Sequence, residues 1–113
     1  MATSISVRKH GGLTVRIDQD GYSLAVRAVG ELDIASAPAL EDSLVHALES
    51  GASSIVLDLI GVTLIDPTGL RVLLWAAAHS DENGDRFRIN SGSAGIRRLL
   101  ELTHAEPALP LTA

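Results

Sequence analysis

The sequence predicts an α/β fold, a mixed β-sheet of four to five strands with three or more α-helices packed on it, and three observations support this. Apolar residues alternate at Leu13, Val15 and Ile17, and again at Leu24, Val26 and Ala28, which is the period of strands with one buried face. The spacing then lengthens to that of a helix at Ala37, Leu40, Leu44 and Leu48. Strand-like and helix-like segments continue in the order β, β, α, β, α, β, α, which implies right-handed crossovers wherever consecutive strands run parallel.

Each element has a local reason. Asp20-Gly21 tolerates positive φ, so residues 13 to 18 and the strand beyond it should form an antiparallel hairpin. A helix over roughly 36 to 50 is bounded by Ser36 as a cap, Pro38 in the first turn and Gly51 at a left-handed exit. Ile55-Val56-Leu57-Asp58-Leu59 lacks clean alternation and reads as a central strand covered on both faces. Leu70 to Ser80 reads as a helix with apolar residues around most of its circumference. A turn at Asn83-Gly84 and a strand near Arg86 to Asn90 follow. The last helix starts after Ser93, with Ile96, Leu99, Leu100 and Thr103 on one face and Arg97, Arg98 and Glu101 pointing away. Pro107 and Pro110 stop any further long element, leaving a short strand or coil.

With 113 residues the chain is expected to be one domain, 1–113, with a lead-in over 1–12 and a tail over 104–113. Its longest apolar run, Val72 to Ala78, is too short to span a bilayer, and Met1 to His10 does not read as a signal peptide. A soluble, cytoplasmic protein is expected. The absence of cysteine excludes disulfides, thiol nucleophiles and thiolate metal sites. A net charge of -5, with no basic cluster larger than Arg97-Arg98, opposes binding to nucleic acid or anionic membrane.

The segment with most chemical content is Ile65-Asp66-Pro67-Thr68-Gly69-Leu70, at the carboxyl end of a strand where ligands and partners of such sheets bind. Asp66 suits an N-cap and Pro67 suits the first helical position, while Ile65 and Leu70 occupy the positions of a hydrophobic staple. Those features alone account for a helix start. Thr68 adds a hydroxyl at the second position of the helix, where a phosphate would bring nearly two negative charges beside Asp66 and change the local surface sharply.

Gly30-Glu31-Leu32-Asp33, followed by Val56 through the Asp66-Pro67-Thr68-Gly69-Leu70 motif, resembles a STAS domain, and more closely the bacterial anti-sigma factor antagonists. The similarity runs from the first hairpin to the helix near Leu100. It implies that Thr68, immediately before the Gly-Leu pair, is the residue phosphorylated by a partner anti-sigma factor, a serine/threonine kinase of GHKL type, with a separate phosphatase resetting it. It also implies that Asp33, Asp66 and Thr68 lie together on the partner surface. Pro67 departs from the family, which usually has serine there, and this removes a hydroxyl and an amide hydrogen.

Other candidates have simpler readings. Trp75, with Val72, Ala76 and His79, falls opposite the Leu70, Leu73, Leu74 and Ala77 face, so one of the two faces is a candidate for a partner. His10, His46, His79 and His104 match no metal motif, and Ser91-Gly92-Ser93-Ala94-Gly95 lacks the lysine of a P-loop and reads as a helix entry. No nucleophile-base pair is evident, so no catalytic residue, metal or cofactor is assigned. The expected partner-binding set is Asp33, Asp66, Pro67, Thr68, Gly69, Leu70, Val72 and Trp75. The alternatives are an unphosphorylated scaffold subunit of a lipid-transport or stressosome-like assembly, and a small-molecule or nucleotide sensor.

Overall fold

The computed structural model describes residues 2–80 and 86–112; the turn expected at Asn83-Gly84 lies outside them. Five strands form one sheet in the order β1-β2-β3-β4-β5, with ranges Thr3–His10, Leu13–Asp20, Ser23–Leu32, Ser54–Ile65 and Phe87–Asn90. The first three strands are antiparallel, and β4 runs parallel to both β3 and β5. Helices α1 (Ala37–Glu49), α2 (Pro67–Ser80) and α3 (Ala94–Leu102) complete the α/β fold.

The helices lie on one side of the sheet. Leu13, Val15, Ile17, Val26, Leu57, Phe87 and Ile89 are buried against Leu40, Leu44, Leu73, Ala76 and Leu100. The intervening Arg16, Arg27 and Val29 are exposed. This corrects the expectation that residues 55 to 59 are covered on both faces: Ile55, Leu57 and Leu59 are fully buried, whereas Val56 and Asp58 reach the helix-free face. The apolar residue at 56 masked an ordinary alternation.

The 1–12 segment is no mere lead-in, because Thr3–His10 is an edge strand paired with β2. Its side chains are exposed almost throughout, Ile5 and Val7 included, so the short alternation from Ser4 to Arg8 marks a strand whose apolar side chains do not reach the core. The hairpin between β2 and β3 is present, but its two-residue turn is Gly21-Tyr22 rather than Asp20-Gly21, since Asp20 pairs with Ser23. Gly21 has φ of +61° and Tyr22 has no positive φ, as in a II′ turn.

Helix α1 ends as expected at Gly51, with φ of +81°, but it does not begin by a Ser36 side-chain cap. The Ser36 hydroxyl donates instead to the Glu31 carbonyl at 2.7 Å and accepts from the Asp33 amide at 3.0 Å. Arg86 ties the other end down, its guanidinium donating to the Leu48 and Ala52 carbonyls. Ser93 does cap α3, accepting from the Ile96 amide at 3.2 Å. The tail forms a 3-10 turn at Glu106–Ala108 and a parallel bridge from Leu111 to Ile89.

Candidate functional site

The parallel register of β3 and β4 builds the site. Leu32 pairs with Ile65, so the next residues, Asp33 and Asp66, leave the sheet side by side. The Asp66 amide donates to the Leu32 carbonyl at 3.0 Å. Gly30, before this exit, has φ of +118°, and any side chain there would run into the Gly12 carbonyl. Only glycine satisfies both conditions.

The two aspartates hold the backbone. One oxygen of Asp66 accepts from the Gly69 amide at 2.8 Å, capping α2, and the other accepts from the Ile34 amide at 3.1 Å. A single carboxylate therefore ties the start of α2 to the loop before α1 and satisfies an amide on each side. Asp33 folds that loop on itself, accepting from the Ala35 and Ser36 amides at 3.0 and 3.1 Å. Gly69 is buried where α2 meets β3: a β-carbon there would stand 2.5 Å from Leu32 Cγ and 2.9 Å from its carbonyl oxygen. The glycine is needed for close approach.

Thr68 is half-buried at the wall of a groove of about 420 Å³ between α1 and α2. Ile34, Ala37, Pro38, Val72 and Trp75 make the groove apolar, and Glu41 and Arg71 put one charge of each sign on its walls. Among the described residues the Thr68 hydroxyl has no hydrogen-bond partner.

Of the residues singled out in the sequence, Thr68, Val72 and Trp75 line this groove. Asp33, Asp66, Pro67, Gly69 and Leu70 do not; Asp33, Asp66 and Gly69 support it from behind, Pro67 is exposed, and Leu70 packs partly against the core. The division of α2 into two opposed faces needs correcting. Its buried arc runs through Val72, Leu73, Ala76 and Ala77, so Val72 and Ala76 belong with the core-facing residues, and of these two Val72 also lines the groove. Trp75 is 36% exposed and stacks on His79, with ring centroids 5.3 Å apart.

Besides Ala37, which the sequence marks only as part of the buried stripe of α1, sequence reasoning missed Ile34, Pro38, Glu41 and Arg71 as groove residues. Ile34 had a readable signal, a large aliphatic side chain in a loop, and it is 73% exposed. The others are ordinary surface residues until α1 and α2 come together. Among the described residues no cluster of histidine and carboxylates could hold a metal ion, and no helix is long and apolar enough to cross a membrane.

This architecture, with loops after two adjacent parallel strands presenting a helix start, is that of a STAS domain, and the family model described as "Mlab, STAS domain" matches residues 15–109. The chain is 28% identical over 101 residues to the anti-sigma-B factor antagonist of Bacillus subtilis (strain 168), covering 89% of this chain and 92% of the relative. It is 32% identical over 78 residues to the protein of that name from Staphylococcus aureus (strain NCTC 8325 / PS 47), covering 69% and 72%. Among solved structures, an anti-sigma factor antagonist from Mycobacterium paratuberculosis aligns with a TM-score of 0.73 at 27% identity, over 88% of this chain and 84% of that one. Unphosphorylated SpoIIAA shares the fold, with a TM-score of 0.69 at 16% identity over 88% of each chain. The chain belongs to the anti-sigma factor antagonist family of STAS-domain proteins.

Proposed function

We propose that this protein is an anti-sigma factor antagonist of the cytoplasm: it binds an anti-sigma factor through the groove between α1 and α2 and the Asp33 loop, and so frees the sigma factor. The partner is a serine/threonine kinase of GHKL type. It transfers the γ-phosphoryl group of ATP to Thr68 Oγ1, releasing ADP and the hydroxyl proton, and a phosphatase reverses the step by hydrolysis. The chain itself acts as ligand and substrate, not as catalyst.

One observation carries this reading: an uncommitted hydroxyl, Thr68, stands at the wall of an apolar groove whose two sides are tied together by Asp66. An apolar groove suits a partner's hydrophobic anchors, and nearly two negative charges added at its wall, near Glu41 and Asp66, oppose reassociation. Relatives named anti-sigma-B factor antagonists support the partner class.

Titration calorimetry of wild type, Thr68→Ala and Thr68→Glu against the candidate anti-sigma factor tests the reading. The alanine variant is expected to bind like wild type, and the glutamate variant roughly tenfold more weakly or worse, a loss of about 1.4 kcal/mol. Equal affinities for wild type and the glutamate variant refute control by charge. Pro67 favours a second reading, a scaffold subunit that is never phosphorylated, because proline stiffens the segment a kinase must accommodate. Incubation with the kinase and ATP, followed by intact mass, separates the two by the presence or absence of one phosphate.

A further inference from the structure

We infer that Arg71 is the residue that receives the phosphate carried by Thr68; this rests on the proposed phosphorylation and supplies its internal counter-charge. Thr68 and Arg71 are three residues apart on α2, a spacing that puts their β-carbons about 5–6 Å from each other on one helix face. Both line the groove.

Neither side chain is otherwise engaged. Arg8 pairs with Asp42, Arg16 and Arg27 with Asp18, and Arg86 and Arg97 donate to backbone carbonyls. Arg71, like Arg98 on α3, makes no hydrogen bond or ion pair among the described residues, but Arg71 lines the groove, with Glu41 on its facing wall. A guanidinium left uncommitted beside an uncommitted hydroxyl is placed for a planar, two-pronged pairing with phosphate oxygens.

The other charged groups around this end of the groove are acidic, which favours such a cation. Glu41 on α1, Asp66 at the cap of α2 and Asp33 in the adjoining loop are all acidic, and Asp66 is already committed to two amides. Pro67 offers no amide hydrogen to a neighbouring phosphate. Phosphorylation then acts twice on the groove: it adds an anion to the wall, and it withdraws the groove's one lining cation from any acidic group on a partner.

The test needs no kinase. Phosphothreonine is installed at position 68 by genetic code expansion in otherwise wild-type, Arg71→Gln and Arg71→Lys proteins, and each is titrated by phosphorus NMR. The second pKa of the phosphate, ordinarily about 6, is expected to be roughly half a unit lower with Arg71 than with glutamine, and intermediate with lysine. Arg71 is exposed, and melting curves confirm that the variants stay folded. Identical titrations in the arginine and glutamine proteins overturn the assignment, even where phosphorylation weakens partner binding. A titration difference in a protein that no cognate kinase modifies upholds the pairing while removing the functional reading.

Discussion

Replacing Asp66 tests how the site is held together. Its two oxygens accept from Gly69 and Ile34, at 2.8 and 3.1 Å. Losing a helix cap costs about 1 kcal/mol. Losing the Ile34 bond adds roughly 1 to 1.5 kcal/mol, at or below the lower end for a bond to a carboxylate because it is exposed and water can take the acceptor's place. Asp66→Ala is therefore expected to lose about 2 to 2.5 kcal/mol. Asp66→Asn keeps an acceptor for Gly69 but turns an amide nitrogen towards the Ile34 N–H, a loss of about 1 kcal/mol. For a domain of 113 residues, each kcal/mol lowers the melting temperature by about 4 °C. Thermal unfolding should thus place the alanine variant roughly 8–10 °C and the asparagine variant roughly 4 °C below wild type. Hydrogen exchange should speed up at both Ile34 and Gly69 in the alanine variant. An asparagine variant as stable as wild type, or an Ile34 amide that exchanges as before, would show that the carboxylate does not bridge the two loops.

Three further outcomes follow from the same geometry. Gly69→Ala should lose about 1 kcal/mol, because crowding against Leu32 outweighs the better helix propensity of alanine, and a raised melting temperature would contradict this. Thr68→Val should leave stability within about 0.5 kcal/mol in urea titrations, since the hydroxyl has no partner to lose, while the protein takes up no phosphate from the kinase. Trp75 is the sole tryptophan and lines the groove, so its fluorescence should shift to the blue when a partner covers it; binding without a shift would locate the partner elsewhere.

Much of the fold was legible because it is written in nearest neighbours. Leu13, Val15 and Ile17 marked β2 by their alternation, Ser93 marked the start of α3, and Asp66-Pro67 marked the start of α2. The readings that failed did so where local pattern and burial part company. Thr3–His10 forms a strand by pairing alone, with hardly a buried side chain to betray it. Ser36 has the chemistry of a cap but is drawn to the Glu31 carbonyl, because Pro38 at the second helical position has no amide hydrogen to offer it and the Ala39 amide already donates to the Ser36 carbonyl. In α2, apolar residues occupy so much of the circumference that the buried arc could not be told from the sequence, and packing against α1 and β4 selected Val72, Leu73, Ala76 and Ala77.

The division of labour is clearest at Thr68. Residues 65 to 70 by themselves determine that a helix begins there, what caps it and which hydroxyl lies in its first turn, since all of these depend on atoms a few bonds apart. That Asp66 also reaches Ile34, 32 positions away, was decided by the parallel register that sets Leu32 beside Ile65. The groove is a property of neither α1 nor α2 alone. Ile34, Pro38 and Glu41 on one side meet Thr68, Arg71 and Trp75 on the other only because a sheet holds both helices on the same face. Surface formed between two elements exists only once both are packed.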